Sequence, residues 1–287
     1  MAAKVKKVTK VKKAIKVEET AKARKVTKGY KSHKWPQRLK KVTKVNKAIK
    51  VEETAKAKKD VFRTGRRTGT GSRGIRRREM VELRNVSKAY KNNVLFTDLN
   101  FMVPRGDICG ILGENGSGKS VLLKMICGFA LPDAGEVFVG GERIEKGRFP
   151  RDIGVILDST GFLSGETGLG NLLLLASIRR KTDRAQVEEA MRLAGLKPEL
   201  EVPVGKYSQG MKQRLAIAQA LMEKPSLLVL DEPLNAIDIK SVAYFRQLFR
   251  ELNEKEGVTI ILTSHYSQDI QELCRHTYDI HLLRAGL

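Results

Sequence analysis

An α/β fold is predicted for residues 80–287: a parallel sheet covered by helices, with a smaller antiparallel sheet at its flank. Three observations carry this. Helical and strand patterns alternate through the second half of the segment. The strands there, such as Leu227–Leu230, are short unbroken apolar runs, the mark of strands buried on both faces. The first part is strand-rich, with turns at Pro104-Arg105-Gly106 and Pro132-Asp133-Ala134-Gly135.

In chain order, Met80–Val86 and Leu95–Val103 read as strands of the flanking sheet, and Asp107–Leu112 as a buried strand of the main one. A helix over Lys119–Gly128 follows a glycine-rich turn, and strands follow at Glu136–Val139 and Ile153–Leu157. Helical patterns at Leu169–Arg180, Arg184–Ala194 and Ser208–Lys224 make a helical subdomain over about 160–224. Ser208 is a natural N-cap for the last of these. The chain then runs strand Leu227–Leu230, helix Ile239–Glu256, strand Val258–Thr263, helix Ser267–Cys274 and strand Tyr278–Leu283.

The 287 residues carry a formal net charge of +23, which suggests a nucleic-acid binder until the charge is located. Residues 1–79 hold 29 Lys+Arg against 6 Asp+Glu, whereas residues 80–287 hold 26 of each. All the excess therefore lies in an N-terminal arm. Within it, Lys6–Lys25 recurs as Lys40–Lys59 with only Lys12/Asn46 and Arg24/Lys58 changed. Neither copy offers much to bury, so a solvated, disordered basic arm is expected, with contact to nucleic acid or anionic lipid as its conceivable use. The alternative is translation of repetitive upstream sequence ahead of a start at Met80, where a regular strand opens. No apolar run approaches the roughly 18 residues that span a bilayer. Cys109, Cys127 and Cys274 lie far apart in apolar stretches, which suits a reducing cytosol and no metal site.

Gly113-Glu114-Asn115-Gly116-Ser117-Gly118-Lys119-Ser120 fits G-x-x-x-x-G-K-[ST] and stands between a buried strand and a helix. That is the context of a phosphate-binding loop, and it makes the core one of the P-loop NTPase type. The glycines let backbone N–H groups curl around a phosphate chain, Lys119 reaches its terminal phosphates and the Ser120 hydroxyl can ligate Mg²⁺. The helix start directs its positive dipole end at the same anion. Leu227–Leu230 ends in Asp231 and Glu232, and ligands of parallel sheets sit beyond the carboxyl ends of the strands. Asp231 is suited to hold Mg²⁺ through water, and Glu232 to accept a proton from an attacking water.

The order of phosphate loop, Tyr207-Ser208-Gln209-Gly210-Met211 helix start, Leu230-Asp231-Glu232-Pro233 strand end and later His265 resembles the ATP-binding subunits of ABC transporters. The resemblance covers all of 80–287. It implies that Ser208 and Gly210 match the family's LSGGQ signature, with Gln209 and Met211 replacing its other glycine and its glutamine. Asp238 matches the aspartate of the segment joining two active sites, His265 the histidine that senses the γ-phosphate, and Tyr90 the aromatic that stacks on adenine. Asp158 stands where the family usually has a glutamine that touches Mg²⁺ and the attacking water. A carboxylate can meet the metal but cannot donate a hydrogen bond while ionised. Residues 161–172 look similar to ATPases paired with small-peptide or bacteriocin-immunity export permeases. The resemblance thus implies an ATPase using ATP and Mg²⁺, a homodimer of ATP-binding subunits, a separate transmembrane permease and a place on the cytoplasmic face of the membrane. The rival is a non-transport member acting on the ribosome or nucleic acid through the arm.

Overall fold

The computed structural model describes residues 79–91, 93–157, 161–265 and 267–284. Two sheets organise them. The smaller is antiparallel, with β1 (Glu79–Tyr90), β2 (Asn93–Pro104), β4 (Ala134–Val139) and β5 (Glu142–Arg143) in the order β2-β1-β4-β5. The larger joins β3 (Ile108–Leu112), β6 (Ile153–Ile156), β7 (Leu227–Leu230), β8 (Thr259–Ser264) and β9 (His276–Asp279) in the order β6-β7-β8-β3-β9. Every pairing in the larger sheet is parallel, so its strands all end at one edge.

The pleat explains the unbroken apolar runs. Leu228, Leu230, Ile260 and Leu262 face a core shared with the helices, while Leu227, Val229 and Ile261 face a second core with the antiparallel sheet. Both faces are covered, so these positions are apolar on either side. The second core also buries α1 (Lys119–Ile126) through Leu122, Leu123, Met125 and Ile126. The first holds α2 (Gly168–Arg179), α3 (Arg184–Leu193) and α4 (Gln209–Leu221), the helical subdomain. Helices α5 (Ile239–Glu256) and α6 (Ser267–Leu273) complete the cover of that face. Thr167, Asp183, Ser208 and Asp238 cap α2 to α5, each accepting a hydrogen bond from a first-turn backbone N–H. Such a cap contributes about 1 kcal/mol.

One expected element is corrected. The final strand is His276–Asp279, not Tyr278–Leu283, and the chain turns at once into a short helix, α7 (Ile280–Arg284). The β9–β3 pairing ends with Asp279 opposite Leu112, the last residue of β3. Beyond it Asp279 Oδ1 accepts from the His281 N–H at 2.8 Å and turns the backbone. Ile280 and Leu283, three apart, are then buried on one face. A short apolar run has no period of its own to separate these outcomes. Residues 1–78, which include the repeats, lie outside the described residues, as does Asp158.

Candidate functional site

Leu112 ends β3 beside Ser264 of β8, and the loop 113–118 leaves the sheet at that edge. The loop is fixed from two sides. A Cβ on Gly113 would stand 2.2 Å from Ile280 Cγ2, so only glycine lets the backbone pass over α7. Gly118, at φ 108, packs above Phe96 of β2, whose ring end lies 3.3 Å from where a Cβ would be. Helix α1 therefore opens on a glycine with no side-chain cap, leaving its first N–H groups to other partners.

Lys119 is buried at 5% exposure, and its Nζ donates to the backbone carbonyls of Gly113 at 2.7 Å and Glu114 at 2.9 Å. The ammonium is curled inside the loop. Ser117 Oγ is buried with no hydrogen-bond partner, while Glu114, Asn115 and Gly116 are exposed and Ser120 half-buried. Nothing would lie within 4 Å of a Cβ on Gly116. A buried cation, an unpartnered buried hydroxyl and an uncapped helix start form a donor set that fits a phosphate chain.

The carboxylates of β7 stand at the same edge. Lys119 Nζ lies 3.8 Å from Glu232 Oε1. Thr263 of β8, the strand between β7 and β3, is fully buried: its Oγ1 donates to Asp231 Oδ1 at 2.6 Å and accepts from the Glu232 N–H at 2.9 Å. One hydroxyl thus fixes the Asp231 carboxylate and the Glu232 backbone. Glu232 adopts φ 47, a left-handed conformation that costs a non-glycine residue on the order of 1 kcal/mol. Asn235 Nδ2 also donates to Glu232 Oε2, and His265 Nδ1 lies 3.4 Å from the same oxygen. His265 is thereby within reach of the proposed base.

Ser208 caps α4, its Oγ accepting from the Met211 N–H at 3.2 Å, and the side chain is exposed. Gly210, two residues on, runs so close to the segment after β7 that a Cβ would stand 2.9 Å from the Ala236 carbonyl oxygen. Asp238 caps α5 and receives Arg214 Nη2 at 3.1 Å. Bonds from the Ser241 hydroxyl and N–H, helped by Arg214, hold the Asp238 carboxyl below the usual carboxylate range. Gln213 Nε2 donates to the carbonyls of Pro233 at 3.0 Å and Glu232 at 3.3 Å.

Tyr90 ends β1, 48% exposed, with Lys88 Nζ 5.0 Å from its ring centroid and Asp133 2.6 Å from that ammonium. Its hairpin leads into β2 and Phe96 below the loop. Asp231 and Ser120 fit the habit of Mg²⁺, which takes one or two carboxylates with phosphate and water oxygens. Among the described residues, no three His, Cys, Asp or Glu side chains gather as a metal cluster.

Thr263 and Gln213 were not among the sequence-predicted site residues. For Thr263 a signal exists, since a hydroxyl inside an apolar, fully buried strand must find partners. For Gln213 none exists, because its partners lie some twenty positions away.

The comparisons with known proteins agree with one another. A family model described as ABC transporter matches residues 96–235. The uncharacterized ABC transporter ATP-binding protein YybJ of Bacillus subtilis is 38% identical over 196 residues, covering 68% of this chain and 89% of that protein. The bacitracin transport ATP-binding protein BcrA of Enterococcus faecalis is 36% identical over 196 residues, and the match spans 68% of this chain but only 64% of that relative. Among solved structures, the dimeric post-hydrolysis state of the ATP-binding cassette MJ0796 bound to ADP and Pi superposes with a TM-score of 0.64 at 26% identity, covering 72% of this chain and 95% of that one.

Proposed function

The chain belongs to the ABC transporter family as an ATP-binding subunit, and from that premise we propose that it hydrolyses ATP to drive a separate membrane permease that exports a peptide or other small toxic compound. The bacitracin transport relatives support the cargo class. No helix among the described residues is long and apolar enough to cross a membrane, in keeping with a permease on another chain and a place at the cytoplasmic face. The observation that carries the catalytic reading is the 3.8 Å approach of Lys119, after β3, to Glu232, after β7, across the intervening strand β8. It gathers a phosphate-binding cation and a base at one sheet edge.

In this reading the loop 113–120 holds the β- and γ-phosphates through backbone N–H groups and Lys119, and Tyr90 stacks on the adenine. Ser120, Asp231 and Asp158 would hold Mg²⁺, which neutralises phosphate charge when bound. Glu232 takes a proton from the attacking water as its oxygen bonds to the γ-phosphorus and the bridge to ADP breaks. His265 senses the γ-phosphate beside Glu232. Two copies enclose two nucleotides, with Ser208 and Gly210 of one facing the loop of the other and Asp238 joining the two sites, in a two-fold interface.

The test is Glu232→Gln, which keeps size and polarity but cannot serve as a general base. Hydrolysis should fall roughly 10²–10⁴-fold, while ATP still drives a dimer seen by size-exclusion chromatography. Adding Ser208→Arg should abolish that dimer by placing bulk at the partner's γ-phosphate. Turnover at the parent rate would remove Glu232 from the mechanism. A Glu232→Gln protein that stays monomeric with ATP would show that closure needs the permease, or that the partner is a different ATPase chain.

A further inference from the structure

Three near-consecutive positions of α4 grip the segment that carries the acidic pair. Gly210 lets the helix lie against the Ala236 carbonyl, Gln213 donates to the carbonyls of Glu232 and Pro233, and Arg214 ties Asp238 and the Ser241 hydroxyl. Both partners of Gln213 are carbonyl oxygens, which only accept, so its amide nitrogen must face them.

The backbone of Glu232 is consequently held from both sides. Its N–H is fixed by Thr263 from the sheet, and its carbonyl accepts from Gln213 and from the Asn235 N–H at 3.2 Å. A left-handed backbone persists at a non-glycine residue only where its surroundings hold it. Thr263 is part of the fully buried β8, whereas Gln213 belongs to a different layer, the helical subdomain. The setting of Glu232 therefore depends on a helix as well as on the sheet.

We propose that Gln213 is a positioning residue for hydrolysis, holding the Glu232 backbone in its left-handed setting from the helix that opens at Ser208. This rests on the catalytic reading of Glu232 given above. Gln213 touches no substrate atom in that reading. Its effect is to make the orientation of a chain's own base follow the position of α4, whose start faces the opposite nucleotide.

The experiment compares Gln213→Met, which keeps length and bulk but donates no hydrogen bond, with Gln213→Lys, which restores an N–H donor at similar reach. In the full chain, Gln213→Met should lower kcat roughly 10- to 100-fold, the scale of a small misplacement of a reacting group. KM for ATP and ATP-driven dimerisation in the Glu232→Gln background should stay near the parent values, and Gln213→Lys should recover part of kcat. The cycle with Glu232→Gln gives the second readout: adding Gln213→Met there should cost little further rate, because the group being oriented is already gone. Parental kcat in Gln213→Met, or full additivity of the two losses, would overturn the proposal while leaving Glu232 as the base. Parental turnover in Glu232→Gln alone would instead overturn the catalytic reading on which it rests.

Discussion

Lys119 and Glu232 face each other at 3.8 Å, the ammonium buried and the carboxylate partly exposed. Two loops from strands that are not neighbours in the sheet thus meet through one ion pair. Lys119 at the same time donates to the Gly113 and Glu114 carbonyls of its own loop. Phosphate oxygens offer the same cation stronger, charge-assisted bonds. Binding then exchanges internal partners for the nucleotide's.

Lys119→Ala is accordingly expected to abolish tight ATP binding and leave the fold intact. The bonds it removes inside the loop are local, and the cores on either side of the sheet are untouched. Nucleotide titration with a parallel thermal melt checks this, and unchanged ATP affinity would sink the phosphate-loop assignment.

A second expectation concerns pH. The Asp238 carboxyl is held below its ordinary range by the Ser241 hydroxyl and N–H and by Arg214, so the native state binds fewer protons there than the unfolded chain. Its contribution is fully present above the ordinary carboxylate value of about 3.9. It is lost as pH falls through the lowered folded value. Asp238→Ala should therefore melt below the parent at pH 7, with the gap closing below about pH 4. The group is exposed and the gap will be small. Melting curves of the two proteins across that window would refute the linkage if the gap stays constant.

The third concerns the arm. The excess charge lies in residues 1–79, while every site residue named here lies beyond it. Deleting residues 1–79 should leave basal ATPase activity near normal. A shortened protein that folds yet loses most activity would place the arm in the catalytic machine. Loss only of an RNA-stimulated component, steeply reduced by salt, would favour the ribosome or nucleic-acid reading.

Where the chain carries a local pattern, the fold was legible. Leu227–Leu230 and Ile239–Glu256 have the bounds their patterns predict, since an apolar run bounded by charge and a capped amphipathic stretch are both local signals. Ile280 misled because an apolar residue after a strand suits the sheet and the helix equally. Its burial against Gly113 is decided by a loop more than 160 positions upstream. The site was legible to the same extent. Lys119, Asp231 and Glu232 announce themselves by motif, whereas Thr263 and Gln213 act through paired hydrogen bonds that close only in the folded chain.

Strand β3 has a consequence for the order in which the molecule is made. Its neighbours in the sheet are β8 and β9, which leave the ribosome well over a hundred residues after it. The antiparallel sheet, by contrast, draws on β1, β2, β4 and β5 alone and can pair as soon as residue 143 is available. The phosphate-binding loop is therefore synthesised early and braced late, when the strand bearing Thr263 and the turn bearing Ile280 arrive. A growing chain carries the motif long before it carries the machine.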